Sequence, residues 1–176
     1  MAVKTGNGRD NELEGTNGSD RLYGRGGDDE LEGKGGRDKL YGGGGNDEID
    51  GDGGKDLLYG GGGNDDLDGG GGRDKLWGGK GNDELDGDKG NDILVGGSGA
   101  DRFVFDDDDG GDVIKDFQVG LDRIEIDVDD IDSFSDLAIA NNAKGHAVID
   151  LGGGNSITLK GVSKASLSAS DFIFDS

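Results

Sequence analysis

The 176-residue sequence contains no cysteine and no proline, and it has a single histidine and a single tryptophan. The absence of cysteine excludes a disulfide framework and thiolate metal sites. The absence of proline excludes a collagen-like triple helix, although 41 residues are glycine. No apolar run approaches the roughly 18 residues of a membrane-spanning helix. Glycine and polar residues follow Met1–Lys4, and this start predicts no N-terminal signal peptide.

Basic residues are also scarce, with 18 Lys and Arg against 40 Asp and Glu, which gives a formal net charge of -22. Such a charge opposes binding to nucleic acid. The glycine and charge contents alone would permit disorder, but their distribution is uneven. Residues 1–104 hold 33 of the 41 glycines and 16 Leu, Ile, Val and Phe, whereas residues 105–176 hold 8 glycines and 23 of those apolar residues. Only the second part can build a small conventional core.

A nine-residue pattern repeats ten times without interruption from Gly15 to Val104. Positions one and four of each block are glycine, position six is aspartate and position eight is apolar. The position-four glycines are Gly18, Gly27, Gly36, Gly45, Gly54, Gly63, Gly72, Gly81, Gly90 and Gly99. The position-six aspartates are Asp20, Asp29, Asp38, Asp47, Asp56, Asp65, Asp74, Asp83, Asp92 and Asp101. The position-eight residues are Leu22, Leu31, Leu40, Ile49, Leu58, Leu67, Leu76, Leu85, Leu94 and Phe103.

A short repeat of this kind predicts a solenoid, in which each unit buries its apolar residue by stacking on its neighbours. Each block divides into six turn residues and three strand residues, with position eight pointing inward. The glycines at positions one and four are expected to supply positive φ angles for the turns. Two blocks complete one coil, so odd blocks stack on odd blocks and even blocks on even blocks.

This stacking places the position-six aspartates in two columns, one at each edge of the solenoid. Neighbouring carboxylates about 5 Å apart repel by about 1 kcal/mol even in water. A hard divalent cation between coils would remove that repulsion, with turn carbonyls completing its oxygen ligands. Ca²⁺ accepts six to eight oxygens in flexible geometry, whereas Mg²⁺ needs near-ideal octahedral angles, and Zn²⁺ prefers nitrogen or sulfur ligands, of which His146 is the only imidazole. An Asp–Gly turn ladder without metal is the alternative.

The block resembles the RTX, or haemolysin-type, calcium-binding nonapeptide G-G-x-G-x-D-x-U-x. The resemblance implies an all-β fold, a right-handed parallel β-roll with Ca²⁺ in the turns at both edges. It also implies that the ten aspartates are side-chain ligands and that the glycine-rich turns contribute backbone oxygens. Five coils leave four gaps at each edge, which predicts about eight ions and lowers the charge from -22 to about -6. Departures from glycine at positions two and three are expected to matter little.

The regions that flank the repeat are less regular. Residues 1–14 are interpreted as a degenerate N-terminal coil, in which Gly8 and Asp10 have the repeat spacing and Leu13 comes one residue late. Residues 105–176 resemble the family's C-terminal cap, because a solenoid end needs a cover over its open sheet edge. Strands are predicted over 103–105, 112–117 and 122–127, a hairpin over 147–151 and 156–159, and a short helix over 133–140.

The C-terminal sequence Asp171-Phe-Ile-Phe-Asp-Ser resembles a type I secretion signal, and a last strand of the cap is a compatible interpretation. Family members usually carry a globular domain ahead of the repeats, so the chain is interpreted as an excised or simplified module. The acidic run Asp106–Asp109, with Asp112 and Asp116, is either one further ion site or a solvated loop.

The leading hypothesis is a monomeric module that stays open in the cytosol, passes the type I secretion machinery and folds on Ca²⁺ outside the cell. The alternative function is binding of an acidic polysaccharide or cell surface. Odd blocks carry Arg, Lys, Tyr and Trp at outward positions, whereas even blocks carry Glu and Asp. The same pattern is explained by a soluble face stabilised by an aromatic ladder, or by self-association of basic and acidic faces. No catalytic motif is present, so the chain is predicted not to be an enzyme.

Overall fold

The computed structural model describes residues 1–174, which form two β-sheets and almost no helix. The first sheet has ten strands. In spatial order these are β1 (Val3–Thr5), β3 (Arg21–Tyr23), β5 (Lys39–Gly44), β8 (Leu57–Gly62), β10 (Lys75–Lys80), β12 (Ile93–Ser98), β14 (Gly111–Ile114), β18 (Asn155–Leu159), β17 (Ala147–Gly152) and β16 (Ala138–Asn141). We call its solvent side the odd face, because odd-numbered blocks supply five of its strands.

The second sheet takes five of its strands from the even-numbered blocks. In spatial order it contains β19 (Phe172–Phe174), β15 (Arg123–Asp127), β13 (Arg102–Asp106), β11 (Glu84–Asp86), β9 (Asp66–Asp68), β6 (Glu48–Asp50), β4 (Glu30–Gly36) and β2 (Glu12–Thr16). The two-residue strand β7 (Gly53–Gly54) pairs with β4 off this path. Two 3₁₀ turns lie at Lys164–Ser166 and Ala169–Asp171. Within residues 1–174, no helix has the length and apolar character needed to cross a membrane.

The strand register confirms the predicted two-block coil. Leu22 lies opposite Leu40 in one sheet, and Leu67 lies opposite Leu85 in the other, so each strand pairs in parallel with the strand eighteen residues along the chain. All ten position-eight side chains are buried, with relative exposures of 0–1%. The repeat region is therefore a parallel β-roll whose core is a double row of apolar side chains.

The N-terminal coil follows the repeat more closely than its sequence suggested. Leu13 lies opposite Leu31, in register with every later position-eight residue. The interpretation that Leu13 comes one residue late was wrong, because it took Asp10 as the position-six residue. Asn11 occupies position six, since it lies nine residues before Asp20, and its Oδ1 accepts a hydrogen bond from the Asn7 N–H at 2.9 Å.

The C-terminal region continues both sheets and then closes one of them with antiparallel strands. The predicted hairpin is confirmed, with Ile149 opposite Ile157 across β17 and β18. The predicted helix over 133–140 was wrong. A single turn, in which the Asp136 N–H bonds the Ser133 carbonyl at 3.0 Å, leads into edge strand β16, and Ile139 packs into the core instead.

The last described strand, β19, pairs with β15 and places Phe172 against Ile124. The interpretation of this segment as a cap strand is therefore confirmed for Phe172–Phe174. The remainder of the secretion-like sequence, residues 175–176, lies outside the described residues.

Candidate metal centre

The position-six aspartates occupy equivalent sites at the two edges of the roll. All ten are buried, with relative exposures of 0–2%. At the odd-block edge, the N–H of each aspartate donates to Oδ1 of the aspartate one coil further on, at 2.6–2.7 Å. The even-block edge, from Asp29 to Asp101, repeats the bond at 2.9–3.1 Å. The structure therefore brings together the two columns that the sequence predicted.

The second carboxylate oxygen of these aspartates has no partner. Oδ2 is buried and accepts no hydrogen bond in nine of the ten, namely Asp29, Asp38, Asp47, Asp56, Asp65, Asp74, Asp83, Asp92 and Asp101. Leaving a buried acceptor unsatisfied costs about 1–3 kcal/mol, and more for a charged group. The columns thus present a regular series of orphaned anionic oxygens, which is the chemistry that a hard cation satisfies.

Burial and mutual repulsion also disturb the acidity of these carboxyls. Burial, together with the charges of neighbouring aspartates, raises the pKa of Asp65, Asp74 and Asp92 to about 7. Asp20 differs because burial is outweighed by hydrogen bonds from the Ala2 N–H and from Thr16, which hold its pKa below the ordinary value. At the later aspartates of the columns, the cost of burying the carboxylate charge is therefore not offset, whereas at Asp20 it is.

Position one requires glycine because a side chain there would collide with neighbouring atoms, and not because of its backbone conformation. None of the ten position-one glycines has a positive φ, so the expected role of position one was wrong. At Gly60 and Gly78 a Cβ would overlap Oδ2 of the position-six aspartate in the same block, and it would also lie 2.7 Å from a carbonyl oxygen of the next coil. The missing side chain therefore makes the space in which the orphaned carboxylate oxygen lies.

Position four partly follows the prediction. Gly27, Gly36, Gly45, Gly63, Gly81 and Gly99 have positive φ angles, whereas the other four position-four glycines do not. The carbonyl groups of these glycines point along the roll toward the next coil. The Gly45 oxygen occupies the place that a Cβ on Gly63 would take, and the Gly63 oxygen occupies the place that a Cβ on Gly81 would take. Within residues 1–174, neither oxygen accepts a backbone hydrogen bond in the turns. A row of free carbonyls therefore accompanies the carboxylates.

Position two carries the positive φ that was expected at position one. Nine of the ten position-two residues lie in the left-handed region, and four of them are not glycine: Arg25 at 87°, Lys34 at 70°, Asp52 at 60° and Asp88 at 51°. A left-handed conformation costs an L-residue about 1–2 kcal/mol. Departures at position two therefore matter more than the sequence suggested.

We expect Arg25→Gly to raise the free energy of unfolding by about 0.5–1 kcal/mol, because relief of backbone strain exceeds the added flexibility of the unfolded chain. Urea unfolding at saturating Ca²⁺ measures this. Lys89→Gly is the control, since Lys89 is an exposed position-three residue without a positive φ. Equal destabilisation by both substitutions would contradict the assignment of strain to position two.

A second ladder at position five was not anticipated from the sequence. At the even-block edge, the N–H of each position-five residue donates to Oδ1 of the position-five residue one coil earlier, at 2.7–2.9 Å. The accepting residues are Asp10, Asp28, Asn46, Asn64 and Asn82. The recurrence of Asn or Asp before the invariant aspartate was the available signal. These side chains tie the outer rims of the turns together and leave the position-six carboxylates free for other ligands.

The residues present fit a calcium ion between coils. Within residues 1–174, no group of three or more His, Cys, Asp or Glu side chains has metal-binding geometry. A cation would therefore be held by pairs of carboxylates and completed by the free turn carbonyls, an all-oxygen set that suits Ca²⁺. His146 is half-buried and lies apart from these columns, and its Nδ1 accepts the Gly161 N–H at 3.1 Å.

Comparison with known families agrees with this geometry. A family model described as the RTX calcium-binding nonapeptide repeat (4 copies) matches residues 5–40, 32–67, 41–76, 68–103 and 77–114. The chain belongs to this family. Its RTX repeats are calcium-binding, and the matches extend from the degenerate N-terminal coil to β14. A search of curated protein sequences found no match.

The solved structures that match the chain include a lipase and two subunits of an epimerase. The extracellular lipase LipA from Serratia marcescens is 20% identical with a TM-score of 0.45, and the match covers 98% of this chain but only 40% of the lipase. The AlgE6R3 subunit of the Azotobacter vinelandii mannuronan C5-epimerase is 27% identical with a TM-score of 0.43, covering 95% of this chain and 80% of that subunit. The AlgE6R2 subunit of the same enzyme is 25% identical with a TM-score of 0.46, and the match covers 73% of this chain and 88% of that subunit.

Proposed function

We propose that the chain is a calcium-dependent folding module, in which the ten position-six aspartates are the side-chain ligands and the glycine-rich turns supply carbonyl ligands. The observation that supports this most strongly is the series of buried Oδ2 atoms without partners. Each ion would bridge successive coils, so binding and folding form a single equilibrium. The ten repeats alone provide four gaps at each edge and about eight ions.

The charge of the chain explains why folding needs the ion. The formal charge is -22, and the basic groups paired with carboxylates within residues 1–174 are Met1, Lys34 and Arg102. Of these, only the Met1 amino group reaches a column, at Asp20. Without Ca²⁺ the columns repel along their length, whereas eight ions would leave a charge of about -6.

The first expected result is cooperative formation of β-structure on addition of Ca²⁺ and none at equal Mg²⁺, followed by circular dichroism. Asp65→Asn should raise the Ca²⁺ midpoint, because it removes one column carboxylate. Asp66→Asn is the matched control, since its side chain lies on the adjacent strand and is exposed. A chain that is fully folded in chelator, or equal effects of both substitutions, would refute the proposal.

We further propose that this module serves a secreted protein, leaving the cell unfolded and folding where Ca²⁺ is millimolar. The acidic and apolar end of the sequence supports passage through type I secretion machinery. The stated function requires no catalytic step from this chain. Export of a fusion to the C-terminal segment by cells with and without a type I exporter tests this role.

The second candidate function is binding of an acidic polysaccharide at the odd face. Rings of Tyr23, Tyr41, Tyr59 and Trp77 stack with centroids 4.9, 4.8 and 4.5 Å apart and planes within 4° of parallel. The rings therefore cover one another's faces, which favours a stabilising ladder over stacking on sugars. The support for polyanion binding is the cations that the same odd-numbered blocks carry, namely Arg21, Arg37, Lys39, Lys55, Arg73 and Lys75.

If the odd face binds polyanions, the calcium-loaded chain should be retained on immobilised alginate. Retention should be lost at high salt and in the double variant Lys39→Gln/Lys75→Gln. Glu48→Gln/Glu84→Gln is the control, because these residues lie on the opposite, acidic sheet. If the chain is not retained even at low salt, the odd face does not bind polyanions and the aromatic ladder has only a structural role.

A further inference from the structure

The sequence that follows the last nonapeptide contains two half-repeats displaced from the nine-residue frame. Residues 110–115 read Gly-Gly-Asp-Val-Ile-Lys and residues 120–125 read Gly-Leu-Asp-Arg-Ile-Glu. Both have the pattern G-x-D-x-U-x, which is positions four to nine of the repeat. Their aspartates, Asp112 and Asp122, lie 20 and 21 residues after Asp92 and Asp101 instead of eighteen.

The fold returns both segments to register with the roll. Ile93 lies opposite Val113 in the first sheet, and Arg102 lies opposite Arg123 in the second. Asp112 therefore stacks on Asp92, and Asp122 stacks on Asp101. The extra residues are accommodated in the preceding loops, so the two columns continue beyond Val104.

The bond that joins successive coils is also preserved. The Asp92 N–H donates to Oδ1 of Asp112 at 2.7 Å, and the Asp101 N–H donates to Oδ1 of Asp122 at 3.2 Å. Asp112 and Asp122 are only 2% and 1% exposed. Each column therefore contains a sixth buried aspartate, supplied by the cap.

The unpartnered carboxylate oxygens of the roll continue as far as this junction, where Oδ2 of Asp122 itself accepts the Gln118 N–H at 2.7 Å. Oδ2 of Asp92 and Oδ2 of Asp101 are buried without a partner. Within the described chain, no Lys or Arg forms an ion pair with these two residues or with Asp112 and Asp122. Burial and neighbouring carboxylates raise the pKa of Asp109 to about 8, beside the first of these pairs.

A backbone turn of the repeat type accompanies the first pair. Gly90 forms a parallel bridge with Gly110, and the Gly90 N–H bonds the Asp109 carbonyl at 2.8 Å. Gly110 has a φ of 92°, and a Cβ there would overlap the Gly90 carbonyl oxygen, as at the position-four glycines of the roll. At the second pair, the Asp116 carboxylate accepts the N–H groups of Gly96 and Gly97 at 3.1 and 3.0 Å.

We propose that the pairs Asp92/Asp112 and Asp101/Asp122 form two additional Ca²⁺ sites that join the last coil of the roll to the cap. This inference rests on the proposed calcium-dependent function. Six aspartates in each column leave five gaps, so the chain would take ten ions instead of eight. The cap would then share ions with the repeats as well as cover their apolar end.

The test is the number of Ca²⁺ ions bound by the full chain, measured by equilibrium dialysis with ⁴⁵Ca. Asp112→Asn and Asp122→Asn each retain an Oδ1 acceptor and should each lose one ion, and the double variant should lose two. Asp108→Asn is the control, because Asp108 is exposed in the preceding loop and should leave the number unchanged.

Asp74→Asn, in the middle of the roll, separates this inference from the function on which it rests. Loss of an ion in Asp74→Asn but not in Asp112→Asn or Asp122→Asn would overturn the two cap sites and leave the module intact. Retention of every ion in all three variants would refute the calcium columns themselves. Anomalous diffraction from wild-type crystals grown in Ca²⁺ gives an answer independent of variant folding, since ions within the roll and none at the two cap pairs would also overturn the inference.

Discussion

Deletion of residues 105–176 is expected to abolish calcium-induced folding of the repeats or to raise its Ca²⁺ midpoint by more than tenfold. The reason is the burial of the roll's last coil beneath β14 and β15. Phe103 and Phe105 are 0% and 1% exposed, and the covering side chains Ile114, Ile124 and Ile126 are all 0% exposed. Burial of one Phe side chain is worth about 1.5–3 kcal/mol.

An isolated internal coil has much less to gain. It buries two aliphatic side chains while ordering eighteen residues, many of them glycine, at about 1–2 kcal/mol of backbone entropy for each residue. The coils of a solenoid are nearly equivalent, so folding must begin where an additional stabilising contact exists. The cap supplies that contact through its apolar side chains and, by the inference above, through two shared ions.

The measurement compares circular dichroism titrations of residues 1–104 and the whole chain. Removal of residues 15–32, which are one complete coil, is the control and should shift the midpoint only slightly because the register and the cap remain. Folding of residues 1–104 at the Ca²⁺ concentration that folds the whole chain would show that the repeats nucleate without the cap.

Gly60→Ala is expected to destabilise the roll strongly, although it adds only a single methyl group. Its Cβ would overlap the orphaned oxygen of Asp65 and would lie 2.7 Å from the carbonyl oxygen of Gly78. Neither the backbone nor the buried carboxylate can move away without breaking the column. We expect a loss of about 2–4 kcal/mol in the free energy of unfolding and a raised Ca²⁺ midpoint.

The chain offers a matched control for this effect two residues away. Gly62 has no atom within 4 Å of the position of an added Cβ and has no positive φ. Gly62→Ala should therefore be neutral or slightly stabilising, because alanine restricts the unfolded chain. Urea unfolding of both variants at saturating Ca²⁺ decides the matter, and similar stabilities would show that the space beside Asp65 is not required.

The regular part of the fold followed from the sequence because each critical position holds the same residue, or the same class of residue, in all ten blocks. Position eight predicted the buried row, and position six predicted the two columns. Backbone conformation was harder to infer, since an invariant glycine is equally compatible with a positive φ and with a close contact. Gly60 has the close contact, whereas the left-handed conformation falls on position two, where Arg25 and Asp52 gave no glycine signal.

The continuation of the columns into the cap was missed for a different reason. The prediction depended on an unbroken nine-residue frame, and the loops before Asp112 and Asp122 shift that frame by two and three residues. As a candidate ligand, Asp112 entered only with an acidic run that was interpreted as either one further ion site or a solvated loop. The run is divided in the structure, with Asp107 and Asp108 exposed and Asp109 buried. Tertiary stacking, which sequence spacing does not report, restores the alignment.

The parallel pairing of every repeat strand makes the roll a spacer of defined length. Each coil advances the chain by one strand separation, about 4.8 Å, and six such separations lie between β1 and the cap strand β14, which places them roughly 29 Å apart. Before calcium binds, the same ninety residues would behave as a flexible, self-repelling linker without a fixed end-to-end distance. Calcium would therefore convert a flexible linker into a rigid spacer. The addition or removal of eighteen residues would change the length of that spacer by one strand separation and leave both ends unchanged.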